Sequence, residues 1–347
     1  PPPLMNKPRK TVKIKDIAIE LGVSNSLVSK VISGNLGTTK VRPDLQEKIL
    51  KRAKELDFRP NPLSSALKRG RFGAIGLIVH PIGVPGSELF NKLLIGMSKS
   101  LNQHGLRLWL QFYEDSKQFM EFCNQEIYRS VDGLIVAGSA QSETRSLIEN
   151  LHKEGLPVIT SFHHDPASGI ANIVYNAYLQ GKLATAHLIE KGCKRPAFFC
   201  IRRDDDLRQQ GYLDAMKEAN LPVDPSLLLE GMGSGIDYRF LAGRTVITKA
   251  LDNGLQFDGI VAQSDQQAIG AINVLRERNI SVPNQVRVIG TDDSPTCTAS
   301  TIQLSSVTAE LQEVGGRLVN SLVQYIDGKK PESQLITPTV IERESSR

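Results

Sequence analysis

Asn25, Ser26, Ser29 and Lys30 fall on the outer face of one short helical stretch. Amides, hydroxyls and an ammonium on one face are the groups that exchange hydrogen bonds with base edges and phosphate oxygens. The face exists because IKDIAIELGVSNSLVSKVIS, residues 14–33, reads as two short helices joined by a tight turn. Ile14, Ile17, Ala18 and Leu21 give the first helix an apolar side, and Gly22 ends it by entering the left-handed conformation without steric cost. Val23 plugs the turn, Ser24 is placed to N-cap the second helix, and Leu27, Val28 and Val31 turn inward. This is the helix-turn-helix pattern, which lays its second helix in the DNA major groove.

A helical hairpin inside a larger core is the competing reading, and charge decides between them. Residues 1–71 carry 16 Lys/Arg against 6 Asp/Glu, whereas residues 72–347 carry 26 against 31. The whole basic excess therefore sits on the segment with the helix-turn-helix, which suits a polyanion partner whose condensed counterions are released on binding.

The 347 residues suffice for two or three domains, and 40% apolar with 23% charged residues is ordinary for a globular chain. No apolar run approaches the roughly 20 residues of a membrane span. The start, PPPLMNKPRK, lacks an apolar leader core and reads as a disordered basic arm over residues 1–10. Cys123, Cys193, Cys200 and Cys297 are scattered without a CxxC pair, so reduced thiols, a cytoplasmic address and no metal or cofactor are expected.

Behind the reading helix, Pro43 opens a third helix striped by Leu45, Ile49, Ala53 and Leu56, which completes an all-α headpiece over residues 11–60. The segment RPNPLSSALKRGRFG follows, with a linker or short hinge helix over residues 61–71. Pro60 and Pro62 stop regular helix, and Leu63–Arg69 is too short to be stable alone. Two leucines four apart with flanking cations suit a segment ordered by DNA and a second copy, a leucine wedging a base step from the minor groove.

From Phe72 onward apolar strands alternate with amphipathic helices. Strands are expected at 74–79, 106–111, 133–136 and 157–160, then from about 173, at 197–200, 259–262 and 286–290. Helices run between them. Two such sets imply two doubly wound parallel sheets with a cleft between them. Ligands of such sheets sit beyond the carboxyl ends of the strands.

Taken together, the pieces IKDIAIELGVSNSLVSKVISG, FRPNPLSSALKRG, GAIGLIV, VDGLIV, LATAHLIEKG, RQQGYLDAM, SDQQAIGA, VRVIGTDD and VIERES resemble the LacI/GalR (lactose-repressor) family of bacterial transcription regulators, from about Thr11 to the end. The resemblance implies a helix-turn-helix headpiece, a hinge helix and a dimerising α/β core of 72–347, two-lobed and periplasmic-binding-protein-like. Lobe 1 is expected over about 72–172 plus 303–331, and lobe 2 over about 173–302 plus 332–347. It implies that Ser24, Asn25, Ser26, Ser29 and Lys30 read DNA, that Leu67 wedges the central base step, and that Ser64 and Lys68 line the minor groove beside it. For the effector it implies Arg208 as a clamp, Ser264 and Asp292 at second-lobe strand ends, and Phe90 beside the ligand.

Three departures bear on the effector. Lobe 1 shows Ser87-Glu88-Leu89-Phe90 where the family often has Asn-Pro-Phe-Phe; Asn176 stands where Asp is usual; and Gly231–Gly235 lacks the ring that often stacks on a sugar. A plain hexose is therefore less expected than a sugar phosphate, an acidic sugar, a nucleoside or no ligand at all. Lys30 stands where many members carry arginine, a point charge in place of a bidentate fork.

Other patterns carry less. The glycines of 231–235 have neither dinucleotide nor P-loop spacing. His163-His164-Asp165 has no third ligand nearby, and Asp204-Asp205-Asp206 lacks the glycine and glutamate of a calcium loop. No nucleophile elbow or Cys-His pattern supports an enzyme. The expected function is a homodimeric, effector-controlled regulator, most simply a repressor, binding double-stranded operator DNA and no membrane. The alternative is a solute-binding protein of a transport system, which the core alone would allow.

Overall fold

The computed structural model of the chain describes residues 12–34, 36–58, 71–80, 88–124, 126–138, 142–163, 166–200, 207–231 and 238–347. The chain divides into two units, Pro1–Phe72 and Gly73–Arg347. In the first, α1 (Ile14–Glu20), α2 (Asn25–Ile32) and α3 (Pro43–Glu55) enclose a core of Ile17, Ala18, Val28, Val31, Ile49 and Ala53. So few apolar side chains make a marginal core, so turn chemistry matters. Gly22 takes φ +63°, and Val23 N–H bonds back to Ala18 O at 3.0 Å, which closes α1 as a Schellman cap. Ser24 Oγ accepts from Leu27 N–H at 3.2 Å and starts α2.

The second unit holds two sheets. Strands β1 (Ala74–Val79), β2 (Arg107–Phe112), β3 (Gly133–Ala137) and β4 (Val158–Ser161) form a parallel sheet in the order β2-β1-β3-β4. Helices α4 (Glu88–His104), α5 (Ser116–Phe122) and α6 (Ser142–Lys153) connect them. The later strands are β5 (Ile173–Tyr175), β6 (Pro196–Cys200), β7 (Leu228–Glu230), β8 (Gly259–Ala262), β9 (Arg287–Asp292), β10 (Ser305–Thr308), β11 (Gln334–Ile336) and β12 (Val340–Ile341). Six of them build the second sheet, in the order β12-β10-β9-β8-β6-β7, and β12 is its antiparallel edge. Its helices are α7 (Ala177–Glu190), α8 (Leu207–Glu218), α9 (Tyr238–Asp252), α10 (Asp265–Glu277) and α11 (Thr296–Ala299). Strands β1 and β3 are wholly buried, as a sheet covered on both faces requires.

The crossovers differ from the expected lobe boundaries. Ser305–Thr308 was expected in lobe 1 but pairs with β9 in the second sheet, because its four buried residues complete that sheet beside Ile289–Asp292. Conversely, Ile173 and Ile336 of the β5–β11 pair lie in the apolar core of the first lobe. The last long helix, α12 (Leu311–Ile326), buries Val314, Leu318, Val319 and Leu322 in that same core.

Three helix pairs touch through reciprocal glycines. A Cβ on Gly181 (α7) would lie 2.0 Å from Arg208 O, and one on Gly211 (α8) 2.1 Å from Tyr178 O. Gly243 and Gly270 join α9 to α10 in the same way, each 2.3 Å from a carbonyl of the other helix. Gly96 would meet Gln312 O at 2.0 Å and Gly315 would meet Leu93 O at 2.3 Å, joining α4 to α12. Backbone-to-backbone approach of this kind fixes each pair in one register. An exposed helical glycine gains about 1 kcal/mol when changed to alanine. Gly181→Ala is expected to do the opposite, losing about 1–3 kcal/mol by overpacking. Urea unfolding checks the sign, and a stabilised Gly181→Ala would refute the contact.

Candidate nucleic-acid interface and effector site

On α2, Asn25 and Ser26 are exposed in the first turn, and Ser29 and Lys30 are half-buried. Ser24 is exposed, but its hydroxyl is committed to the helix cap. Lys30 departs from the simple outward expectation: its Nζ donates to Thr39 Oγ1 at 2.7 Å, in the loop that follows the helix. The ammonium is thus held at the flank of the exposed face. Ser64, Leu67 and Lys68 lie outside the described residues, as do the loop 232–237 and residues 201–206.

In the core, strand β9 ends on Asp292, only 5% exposed, with φ at +106°, and Asp293 follows at +49°. Two successive non-glycine residues at positive φ are costly and occur mainly where a site imposes them. Asp292 Oδ1 is buried and has no hydrogen-bond partner among the described residues. Beside β9, Thr308 is the register partner of Asp292. The Thr308 carbonyl accepts from Gln180 Nε2 at 2.8 Å, and Gln180 Oε1 accepts from Arg208 Nε at 3.0 Å. Arg208 Nη2 donates to the Tyr175 hydroxyl at 2.8 Å, and its guanidinium carbon lies 5.7 Å from the centre of that ring. The His163 ring meets the other side of the site, 4.3 Å from the Tyr175 ring and edge-on. A chain of four side-chain and backbone groups thus fixes the Arg208 fork near Asp292.

The first lobe reaches the same place. Lys92, on α4, donates from Nζ to the backbone carbonyl of Asp293. Asp293 is itself paired with Arg343 at 2.7 Å. Burial pushes the Asp292 carboxyl above the ordinary carboxylate range, and the positive charges of Arg208, Arg239 and Lys92 pull against that shift. Its neighbour Asp265 is also raised, first by burial and then by the Asp292 charge, although Ser294 N–H and Ser306 Oγ each donate to it at 2.6 Å. Burial likewise raises Tyr175, which stays a neutral donor and acceptor.

The remaining expected residues are structural in what they touch. Ser264 is 3% exposed, and its Oγ caps α10 by accepting from Gln267 N–H at 3.3 Å. Phe90 is 6% exposed, sits in the first-lobe core, and meets Phe112 edge-on at 5.4 Å. Asn176 caps α7, accepting from Leu179 N–H at 3.0 Å. So Arg208 and Asp292 come together, Phe90 and Ser264 support elements around them, and Lys92, Tyr175, Gln180 and Arg239 were not anticipated. A glutamine at 0% exposure inside α7 is visible only after folding. No helix among the described residues is long and apolar enough to cross a membrane.

Folded Asp265 and Asp292 hold protons that the unfolded chain has already released above about pH 4. Stability from these groups is therefore present at low pH and declines as pH rises toward neutrality. His187, lowered by burial, contributes with the opposite sign, so a difference measurement is needed. Calorimetry of Asp265→Asn is expected to show a smaller fall in Tm between pH 5 and 8 than the unaltered chain. Identical slopes would contradict the assignment.

Known proteins resemble the chain over most of its length. The family model "Bacterial regulatory proteins, lacI family" matches residues 13–61, and that of a periplasmic binding protein-like domain matches residues 185–346. HTH-type transcriptional regulator RegA of Clostridium saccharobutylicum is 28% identical over 344 residues, 96% of this chain and 98% of its own. Catabolite control protein A of Priestia megaterium is 25% identical over 330 residues, 94% of this chain and 96% of its own. Among solved structures, the lac repressor dimer bound to operator and the anti-inducer ONPF superposes with a TM-score of 0.84 at 18% identity, covering 97% of this chain and 99% of that one. A reading unit matched as a lacI-family DNA-binding segment, joined to a core matched as a periplasmic binding protein-like domain, identifies the chain as a DNA-binding transcriptional regulator similar to those of the lacI family.

Proposed function

We propose that this chain is a repressor that binds a near-palindromic operator as a homodimer and changes its operator affinity when a small molecule occupies the cleft beside Asp292. The observation that carries the reading is the pairing of a basic helix-turn-helix unit with a core whose buried Asp292 carboxylate, one oxygen of it without a partner among the described residues, lies near a fixed arginine. A solute-binding protein needs no headpiece matched by a DNA-binding family. The relative whose solved form is a dimer carries both operator and a small molecule, which supports the same combination here. A regulator that acts on DNA also favours the cytoplasm, and relatives that are regulators favour no enzymatic role.

In this reading α2 enters the major groove, with Asn25, Ser26, Ser29 and Lys30 toward bases and phosphates and Ser24 holding the helix start. Two copies related by a two-fold axis take two half-sites. Ser64, Leu67 and Lys68 act at the minor groove between them. Arg208 and Asp292 hold the effector from the second lobe, while Phe90 and Ser264 set the elements that surround it. Ligand binding that differs between two lobe arrangements shifts operator affinity by the typical 1–3 kcal/mol of roughly 5- to 150-fold coupling.

A mobility shift on the duplex upstream of the chain's own gene tests this. The expected result is a salt-sensitive shift that a scrambled duplex of equal length does not reproduce. Lys30→Ala is expected to weaken the specific complex by about tenfold, with a smaller loss on random duplex. Equal losses on both would place Lys30 away from the bases, and equal binding of the two duplexes by the unaltered chain would end the reading.

A further inference from the structure

The bond between Lys30 and Thr39 runs one way only. An ammonium has three donors and no acceptor, so at 2.7 Å the Thr39 hydroxyl oxygen accepts. The hydroxyl proton of Thr39 is left over, and it has no acceptor among the described residues. Lys30 makes no other side-chain bond among them, so its remaining ammonium protons are also left to donate. The loop holds Thr39 in place from both sides. Its N–H bonds to Leu36 O at 3.0 Å, across a turn in which Gly37 takes φ +53°. Leu36 before it and Val41 after it pack against the headpiece core. Lys30 and Thr39 are each half-buried, so neither is sealed from solvent.

The pair therefore presents two donors side by side, an ammonium N–H and a hydroxyl O–H. A lone lysine is a point charge without angular preference; one tethered to a fixed hydroxyl has a direction. Its long stem is also ordered before DNA arrives, so less entropy is lost on binding. In the major groove only guanine sets two acceptors, N7 and O6, next to each other. Adenine places a donor beside its N7, cytosine shows a donor, and thymine shows one acceptor beside a methyl. A phosphate offers adjacent oxygens too, but Lys30 stands on α2 itself, while the exposed Lys40 of the same loop suits the strand backbone.

We propose that Thr39, outside the reading helix, is a specificity residue: Lys30 and Thr39 act as one bidentate donor that reads a guanine in each operator half-site. This rests on the reading of α2 as the helix that enters the major groove. The loop of residues 36–41 then belongs to the recognition surface, because its turn and its two apolar anchors set the angle at which the lysine meets the base. Thr39→Val keeps the shape of the side chain and removes the hydroxyl, whereas Thr39→Ser keeps the hydroxyl and removes the methyl.

Anisotropy titrations of the full chain test the pair, on the duplex upstream of its own gene with each G·C pair replaced in turn by A·T. For the unaltered chain, one replacement in each half-site is expected to weaken binding about tenfold through the lost bidentate contact. Thr39→Val is expected to bind the original duplex about tenfold more weakly and to make that one replacement silent, while Thr39→Ser behaves like the unaltered chain. Lys30→Met is expected to match Thr39→Val, and the double variant to lose no more than either single one, as for two parts of one unit. Thr39→Ala replaces Thr39→Val if the valine lowers Tm. The proposal is overturned if removing the hydroxyl leaves binding unchanged, or weakens operator and scrambled duplex equally, as a phosphate contact would. It fails equally if no replacement becomes silent, if Thr39→Ser loses as much as Thr39→Val, or if the two single losses add in the double variant. Discrimination between operator and scrambled duplex by the unaltered chain, beside any of these outcomes, sinks only the Lys30–Thr39 unit; its absence sinks the reading of α2 as well.

Discussion

A carboxylate removed from water must be matched or it destabilises the fold that buries it, and Asp292 Oδ1 has no hydrogen-bond partner among the described residues. It sits at the carboxyl end of β9, where open α/β sheets present their ligands, in a backbone conformation that a non-glycine residue resists. The elements around it are arranged for that one group. Gly181 and Gly211 bring α7 and α8 into backbone contact, which puts Gln180 and Arg208 at hydrogen-bonding distance over the β9–β10 edge. Gly243 and Gly270 lock α9, with Arg239 in its first turn, onto α10. Gly96 and Gly315 set α4 against α12, and α4 delivers Lys92 from the other lobe. Packing thus fixes the positions, and electrostatics gives them a use.

The two lobes are also tied by covalent crossings that arrive at the same place. Strand β10 lies beside Asp292 in the second sheet, and the chain then passes through α12 in the first lobe before returning as β12 beside β10. A change in lobe angle therefore acts on Asp293 through Lys92 and on Thr308 through the strand that leads into α12. Because interiors are close-packed, such a site settles between discrete arrangements in place of bending smoothly.

Much of the reading unit was legible in the sequence, since its logic is local. Gly22 and Ser24 mark the turn by their own chemistry, and both behave as expected. The strand-helix alternation of the core was legible for the same reason, through period and turn residues. What escaped depends on partners distant in sequence. Ser305–Thr308 is a short polar-looking strand whose sheet is decided by β9, so its lobe was misplaced. Ser264 was expected at the ligand because of its strand end, and its role in capping α10 depends on how the chain turns after β8. Lys92 lies 201 residues from its acceptor, and the basic residues of α4 give no local hint of which one crosses the cleft. Lys30 bends to Thr39 because the loop after α2 returns beside it.

The central claim is that the lobe-to-lobe contact at Asp292 and Asp293, wholly inside the second unit, governs what the reading unit does on DNA. Fluorescence anisotropy with a labelled duplex from upstream of the chain's own gene measures this without any effector, by comparing the unaltered chain with Lys92→Met. The account predicts that operator Kd changes at least about threefold, within the range of allosteric coupling, while binding to a scrambled duplex stays the same. Superimposable operator titrations from a folded variant would contradict it.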